Sequence, residues 1–350
     1  MKPIAVLTPY SIPRDLAARK VVNIGDGFIL RGIERLLGPF NPKMLISPRI
    51  TPSASAATAM EDAQAVILAG ANQLNDRYTV WPGMTSAQLQ ARRWRFVPFG
   101  IGIHGKPGFN ERMSDETRLI LEIIHQRIEF SSWRCPRTVQ YLERELPYLK
   151  GRFLMTSCPV LYDRPLLESS RFDESESSVA VTATERHDFW DRETTIIDAV
   201  VRRYPRAQRY FVVHQNFSPP SLLESLRQRL PDSSPDSLTN RVEALRLYAV
   251  RLGFKVVIPP DADACMRFYQ SVDVHVGSRL HAHLFFLSRN KRSFLVPVDK
   301  RSHGIAEHLG FPLPTPDQLD ANWDFDFERV RENARGSYEV MTRFVRSLPS

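Results

Sequence analysis

Short apolar runs alternate with amphipathic stretches along the whole chain. In the first half, apolar runs rich in β-branched residues predict strands, and apolar residues at helical spacing predict helices. The predicted strands are residues 4–7, 65–68 and 96–103, and the predicted helices are residues 27–37, 117–127 and 131–146. Such an alternation is typical of an open parallel sheet that is covered by helices.

The same alternation restarts in the second half. Its predicted strands are residues 179–182, 210–214, 255–258, 272–276 and 294–298, and its predicted helices are residues 193–203, 240–252, 262–269, 280–287 and 327–348. Polar, small and acidic residues dominate the segment between the halves, which predicts a linker. The expected organisation is a first lobe at 1–162, a linker at 163–178, a second lobe at 179–326 and a C-terminal helical segment at 327–350.

This pattern predicts an α/β fold with two doubly wound, Rossmann-like lobes. A last helix that returns to the first lobe would complete a glycosyltransferase-B-like architecture. In open α/β sheets the ligand lies in the crevice at the carboxyl ends of the strands. Chemistry is therefore expected where strands run into loops and helix starts.

The net charge of the chain indicates which kinds of partner to expect. The 350 residues include 47 Lys and Arg against 39 Asp and Glu, a formal net charge of +8. This fits either an ordinary basic surface or an anionic partner such as a phosphate, a nucleotide or an acidic membrane surface. The basic residues form no sustained block and no known nucleic-acid-binding motif, so nucleic acid is not an expected partner.

Cysteine usage and hydropathy predict the compartment. Cys135, Cys158 and Cys265 form no CxxC pair, which fits a reducing compartment and argues against a disulfide framework or a cysteine-rich zinc site. No run of about 18 apolar residues predicts a membrane-spanning helix. We expect a soluble, cytoplasmic protein. The basic, aromatic segment 92–96 fits either a solvated helix end or a peripheral contact with the inner face of an anionic membrane.

The strongest local pattern lies where the strand at 272–276 runs into a helix, with the sequence Gly277-Ser278-Arg279-Leu280-His281. A glycine lets a ligand approach the backbone, and the start of a helix attracts an anion. Arg279 offers a planar fork for a carboxylate or phosphate, and His281 can exchange a proton near neutral pH. The pattern also fits an ordinary strand–loop–helix with a capping serine. A metal site at His281 and His283 is disfavoured, because residues two apart point to nearly opposite sides of a helix.

Three further segments carry candidate residues. Asn23-Ile24-Gly25-Asp26-Gly27 follows the first strand, where Asp26 fits either a base for a hydroxyl or an Asx turn that caps the helix. Lys300 follows the strand at 294–298 and fits a phosphate contact at the strand's end or a solvated charge. Arg134, just before a helix of the first lobe, fits an anion contact across the cleft or a surface position.

Taken together, these segments resemble the polysaccharide pyruvyl transferase family. The family pattern N-x-G-D is matched by Asn23-Ile24-Gly25-Asp26, and G-x-R-x-H-A is matched by Gly277-Ser278-Arg279-Leu280-His281-Ala282. Val298-Asp299-Lys300 fits a downstream aspartate–lysine segment, and the segment that begins at Arg134 is a looser match to an R-D helix start. The likeness covers about residues 4–310.

The resemblance implies a transferase that moves the pyruvyl group of phosphoenolpyruvate onto two hydroxyls of a sugar or lipid-linked saccharide. In that interpretation Arg279, Lys300 and Arg134 hold the donor's charges, with Gly277, Ser278 and Leu280 forming the donor loop. His281 is the acid and Asp26 the base, and Asn23 and Gly25 lie on the acceptor side. Phosphoenolpyruvate is a co-substrate, and no cofactor or metal is expected.

Departures from the family pattern keep alternatives open. Gly70-Ala71-Asn72 replaces a glycine-rich turn, Cys135 stands in place of an aspartate, and Cys158-Pro159 stands in place of Asp-Pro. A nucleotide-sugar-dependent glycosyltransferase would also use cationic residues at the same helix start, and a non-catalytic carbohydrate-binding relative would tolerate these losses. The sequence makes no prediction of the acceptor sugar, the stereochemistry or the oligomeric state.

Overall fold

The computed structural model describes residues 4–10, 23–38, 45–103, 111–184, 189–214, 238–298 and 300–348, without the side chains of residues 238–243 and 301. In the first half the strands are β1 (Ile4–Leu7), β2 (Leu45–Ile46), β3 (Ala65–Ala69), β4 (Phe96–Phe99), β5 (Ser131–Trp133) and β6 (Phe153–Met155). The helices are α1 (Ile24–Leu37), α2 (Ala54–Asp62), α3 (Ser86–Gln90), α4 (Asp115–Arg127), α5 (Pro136–Glu145) and α6 (Arg164–Glu168).

The strands of the first half run parallel. Strands β2, β1, β3 and β4 lie side by side in this order. The β5–β6 pair continues from β4, because the N–H of Gly100 donates to the carbonyl of Ser132 at 3.0 Å and Ile101 bridges to Trp133. Every residue of β3 is buried, as expected for a strand that is covered by helices on both faces.

The second half contains its own parallel sheet. Its strands are β7 (Ser178–Thr182), β8 (Gln208–Val212), β9 (Lys255–Val257), β10 (Val274–Gly277) and β11 (Ser293–Leu295). Its helices are α7 (Trp190–Arg203), α8 (Leu238–Arg251), α9 (Ala262–Gln270), α10 (Leu280–Ser288) and α11 (His303–Leu309), followed by α12 (Glu328–Arg346). The order β11-β10-β7-β8-β9 reverses direction between β7 and β10, which is the point where such sheets bind ligands.

These two sheets confirm the predicted α/β class with two Rossmann-like lobes. Helix α1 begins earlier than predicted, at Ile24, because the Oδ1 of Asn23 accepts the N–H of Gly25 at 3.1 Å and caps the helix. The sequence also predicts a helix over residues 222–230 within a Pro- and Ser-rich stretch, and these residues lie outside the described ones.

The prediction of a helix over 131–146 is wrong in its first part. Ser131–Trp133 forms β5, and the helix starts only at Pro136. The strand satisfies its buried serine hydroxyls: the Trp133 Nε1–H donates to the Oγ of Ser131 at 2.7 Å, and the Gly100 N–H donates to the Oγ of Ser132 at 2.9 Å. Proline fits the first turn of a helix but disrupts its interior, so Pro136 sets the start.

Helix α1 packs between the two lobes. The ring of Phe28 lies 5.4 Å from that of Phe285 and 6.3 Å from that of Tyr269, both in the second half. One turn later, the guanidinium of Arg31 donates to both carboxylate oxygens of Asp263, at 2.7 and 2.6 Å. The buried core is therefore continuous from the first half into the second.

Helix α12 returns to the first half, as predicted. The Phe344 ring packs edge-on against Phe99 with centroids 4.9 Å apart. Arg335 donates to the carbonyls of Leu167 and Ser169, at 2.9 and 2.7 Å. The segment 163–178 holds α6 and the first residue of β7, and the limits of the lobes stay a prediction. Within the described ranges, no helix is long and apolar enough to cross a membrane.

Candidate functional site

The junction of β10 and α10 folds tightly over the end of β7. Gly277 pairs with Thr182 in the sheet and has φ +144°, a conformation that side chains with a Cβ rarely adopt. A Cβ at this position would lie 2.0 Å from the carbonyl oxygen of Thr182. The next residue, Ser278, donates its N–H to that same carbonyl at 2.9 Å. Only glycine therefore allows this loop to lie against the switch point of the sheet.

A buried polar network lies beneath Ser278. Its hydroxyl donates to the Oε1 of Glu193 at 2.8 Å and accepts from the Nη1 of Arg192 at 2.8 Å. Arg192 and Glu193 also form an ion pair at the start of α7. Burial raises the pKa of Glu193 to about 7, against the opposing effects of Arg192, Ser278 and the backbone of Thr184. A carboxyl group that titrates near neutrality thus supports the loop.

Arg279 is held at the edge of the crevice. Its backbone N–H donates to the Oγ1 of Thr182 at 3.4 Å, and its Nε donates to the carbonyl of Ala183 at 3.0 Å. Its side chain is partly buried at the N-cap of α10, which Leu280 begins. Leu280 packs against the core and anchors the first turn.

Arg134 and His281, from opposite halves of the chain, contact each other directly. The Nη1 of Arg134 donates to the Nε2 of His281 at 3.3 Å. Gly25 packs on the other side of the imidazole, and a Cβ on this glycine would lie 2.8 Å from the Nδ1 of His281. Three of the predicted site segments therefore converge on one histidine.

Arg134 reaches the crevice from a buried position. Only 3% of the residue is exposed, and its Nη2 has no hydrogen-bond partner among the described residues. Its guanidinium lies over Gly102, where a Cβ would come within 2.6 Å of Nη2. The thiol of Cys158 lies nearby; burial raises the pKa of this thiol, and Arg134 opposes the rise. An incoming anion would thus meet a desolvated cation.

The start of α1 places the acceptor-side candidates. Asn23 caps the helix, and Asp26 lies in its first turn with only 6% of the residue exposed. An Oδ2 of Asp26 lies 3.6 Å from the Nη2 of Arg49. Asp26 is thus a buried carboxylate next to Gly25, on the turn of α1 that contacts His281.

Lys300 and His283 lie apart from this group. Lys300 begins a short 3₁₀ turn and is exposed. In the described part of the chain it makes no contact with Arg279 or His281. The preceding residue, Asp299, is outside the described residues. His283 is buried in the core, where its Nδ1 bonds to the hydroxyl of Ser293 at 2.8 Å. Among the described residues, no group of three or more His, Cys, Asp or Glu side chains is arranged to hold a metal.

The residues that depart from the family pattern have packing roles. The Sγ of Cys135 lies 3.1 Å from the Oγ1 of Thr138 and against Gly304 of the second half. Gly70 lies against the backbone of Gly100, and the Oδ1 of Asn72 lies close to Gly102, beside Arg134. These positions therefore pack around the backbone at residues 100–102 and the start of α5, on either side of Arg134.

Arg192, Glu193 and Gly102 were not predicted as site residues. Arg192 and Glu193 lie on a helix that is separated by more than 80 residues from Ser278, and only the pairing of β7 with β10 brings them together. An adjacent Arg–Glu pair in the first turn of a helix was the available signal. Such pairs are commonly solvent-exposed, so the signal alone is weak.

Comparisons with known proteins concern the family and the fold of the chain. A family model described as polysaccharide pyruvyl transferase matches residues 23–300. The structure of S. aureus MnaA with UDP is 10% identical to this chain and has a TM-score of 0.51, covering 96% of this chain and 91% of that one. The Neisseria meningitidis UDP-GlcNAc 2-epimerase bound to UDP-GlcNAc is 9% identical with a TM-score of 0.51, covering 98% and 99%. These similarities confirm the glycosyltransferase-B-like fold. No curated protein matches the chain.

Proposed function

Because the chain belongs to the polysaccharide pyruvyl transferase family, we propose that it transfers the pyruvyl group of phosphoenolpyruvate to two hydroxyls of a sugar, forming a ketal. Family membership makes it a polysaccharide-modifying transferase. The observation that carries the finer proposal is the contact of Arg134 with His281, at 3.3 Å. This contact brings a cation of the first lobe, Arg134, next to a group of the second lobe that can transfer a proton, His281.

The donor in this proposal carries a phosphate and a carboxylate. Arg279 and Arg134 are the cations beside His281, and Lys300, which follows β11 and is exposed, would approach them when the donor binds. Guanidinium groups bind both kinds of anion through paired hydrogen bonds. The desolvated Nη2 of Arg134 supports this role, because a buried donor without a partner gains most from an anionic ligand.

His281 serves as the acid in the proposed reaction. Its proton goes to the methylene carbon of phosphoenolpyruvate, which leaves a cationic centre at C2. Arg134 donates to Nε2 here, so a neutral imidazole carries its proton on Nδ1, next to Gly25. Donor binding would draw Arg134 to the donor and free Nε2 for a proton.

Two hydroxyls of the acceptor complete the reaction. The first adds to C2 and gives its proton to Asp26. The second replaces phosphate at the same carbon and returns a proton to His281, while Asp26 passes its proton to the departing phosphate. The products are the ketal and inorganic phosphate. Cationic side chains stabilise the departing phosphate, so the proposed steps use phosphoenolpyruvate as co-substrate and neither a metal nor a cofactor.

A sugar or a lipid-linked saccharide is the proposed acceptor. Asn23 and Gly25, at the start of α1, would line its side of the crevice, opposite the donor loop. A lipid-linked acceptor would require the protein to work as a cytoplasmic, peripheral partner of a membrane surface.

A nucleotide-sugar-dependent glycosyltransferase is the second candidate. The observation that favours it is the fold shared with MnaA, whose structure contains UDP, and with an epimerase bound to UDP-GlcNAc. At 9–10% identity this likeness concerns the fold, whereas the family match and the Arg134–His281 contact favour the pyruvyl donor.

A thermal-shift titration separates the candidates. Phosphoenolpyruvate at about 100 times its dissociation constant should add about 2.7 kcal/mol of stability, and UDP- and GDP-sugars should add none. Arg279→Ala should abolish the shift, and Arg164→Ala, at an exposed position on α6, should leave it unchanged. A shift with nucleotide sugars alone would assign the second candidate, and no shift with any of them would indicate a non-catalytic relative.

A further inference from the structure

One arginine connects the two segments that carry the proposed donor cations. The Nη1 of Arg192 donates to the Oγ of Ser278 at 2.8 Å. Its Nη2 donates to the carbonyls of Val296 and Pro297, at 2.6 and 2.9 Å. Ser278 precedes Arg279 and His281, and Pro297 precedes Lys300. Arg192 therefore connects both loops at the carboxyl ends of β10 and β11.

Glu193 holds both Ser278 and Arg192. Only 1% of this residue is exposed, and its Oε1 accepts the hydroxyl of Ser278 and pairs with Arg192. Ser278 thus donates to an anion and accepts from a cation, which defines its rotamer. Hydrogen bonds with charged partners are the stronger ones in proteins.

Stability alone does not account for this pair. A buried ion pair loses hydration that its attraction repays only in part, and apolar residues of similar volume often stabilise a protein as well or better. Burial is the largest influence on both partners, raising the pKa of Glu193 and lowering that of Arg192. The pair therefore adds little net stability to α7, whereas its directional hydrogen bonds fix the position of the loop at Ser278.

We propose that Arg192 and Glu193 are positioning residues of the donor site, which hold Ser278 against the 296–297 segment so that Arg279 and His281 face the donor together. They touch no reacting atom and act through Ser278 and the two carbonyls. The identity of the donor rests on the proposed function above, whereas the ordering of the two loops does not.

Hydrogen exchange tests the loop ordering directly. In Arg192→Lys and Glu193→Gln, backbone amides in 277–282 and 295–298 should exchange at least about tenfold faster than in the wild type, equal to about 1.4 kcal/mol. Lysine keeps the charge but cannot reach three acceptors with a planar fork, and glutamine keeps an acceptor for Ser278. Arg118→Lys is the matched control, since Arg118 pairs with the buried Glu145 on α5 of the first lobe.

Kinetics test the consequence for the donor. The same two variants should raise the KM for phosphoenolpyruvate about tenfold and leave the KM for the acceptor unchanged, and Arg118→Lys should change neither. If Arg192→Lys or Glu193→Gln does not fold, Ser278→Ala provides a second test. It leaves the ion pair in place and should raise the KM for phosphoenolpyruvate by a similar factor.

The outcomes separate the two proposals. Unchanged exchange at both loops in folded Arg192→Lys and Glu193→Gln would overturn the positioning role, as would an equal rise in both KM values. A wild type that neither binds nor turns over phosphoenolpyruvate would overturn the proposed function. The exchange measurement would still decide the role of Arg192 and Glu193 in that case.

Discussion

The space around His281 is set by single residues. Gly25 faces one edge of the imidazole and Arg134 the other, so the ring has little freedom to rotate. In the same loop as His281, Gly277 lets the chain approach the backbone of Thr182. The chemistry of the crevice thus depends on two glycines as much as on the charged groups.

Gly25→Ala should separate stability from activity. Alanine favours a helix over glycine by about 1 kcal/mol, which offsets part of the cost of the clash with His281, so the variant should remain folded. A Cβ 2.8 Å from the Nδ1 of His281 forces the ring to move, so kcat should drop at least about tenfold. Gly336→Ala on α12, where a Cβ meets nothing within 4 Å, is the control and should keep full activity. Equal activity in both variants would contradict the packing argument.

Alanine variants of His281 and Arg279 should differ in kind. His281→Ala should fold, bind phosphoenolpyruvate and lose roughly 10²–10⁴-fold in kcat, because a positioned acid contributes about that much. Arg279→Ala should instead lose donor affinity first. Steady-state kinetics with thermal-shift binding would show the split, and near-wild-type turnover in His281→Ala would refute its role as the acid.

Local residue patterns identified one part of the site and missed another. The run Gly277–His281 could be predicted because the glycine, the arginine and the histidine are neighbours at one strand–helix junction. Arg192 and Glu193 could not, because their role depends on the order of strands β7, β10 and β11, which no local pattern fixes. Lys300 was predicted from the same kind of local pattern and is exposed at the end of its segment.

At the scale of elements, α1 combines two functions. Its first turn faces His281, and its apolar face packs on α9 and α10 of the second half. Most strands were predicted close to their observed bounds, because runs buried on both faces are continuously apolar. Strand β5 was missed because its serines are buried with their hydroxyls bonded, which an apolar pattern does not reveal.

Phe28→Ala should destabilise the whole chain. Truncation of a buried phenylalanine costs about 3–5 kcal/mol, and this ring contacts Tyr269 and Phe285 across the two halves. Unfolding in urea, followed by both fluorescence and circular dichroism, should show one shifted transition. Leu119→Ala, at a residue that is 46% exposed, should change stability by less than about 0.5 kcal/mol. A Phe28→Ala variant with two separate transitions would show that the lobes unfold independently.

At the scale of the whole molecule, buried neutral histidines set the response to acid. Burial lowers the pKa of His125 to about 4 and those of His214 and His283 to about 3, and it holds that of His275 well below its ordinary value. Unfolded histidines bind a proton near pH 6.5 and these folded ones do not, so stability should fall as the pH drops below 6.5. Glu193 acts in the opposite direction, because its raised pKa favours the folded state toward acid.

Each such histidine should lower the free energy of unfolding by about 2 kcal/mol between pH 7 and pH 5. Urea unfolding at the two pH values would measure the total, and His125→Gln should remove about that much of the pH dependence. His125 is a suitable choice because its ring nitrogens bond to the carbonyl of Leu121 and the hydroxyl of Ser131, and neither partner is a residue of the proposed site. If His125→Gln shows the same pH dependence as the wild type, burial of a neutral His125 does not cause the loss of stability in acid.

The packing of α1 on the second half determines which segments could be exchanged between related proteins in a chimera. A chimera that swaps donor lobes between relatives at the segment 163–178 would leave Phe28 and Arg31 facing a foreign surface. Helix α1 would have to be exchanged together with β7–β11 and their helices, whereas the C-terminal end of α12 would have to stay with the first half, where Phe344 packs on Phe99. The boundaries for lobe exchange therefore follow the packing of helices across the molecule and not the order of the chain.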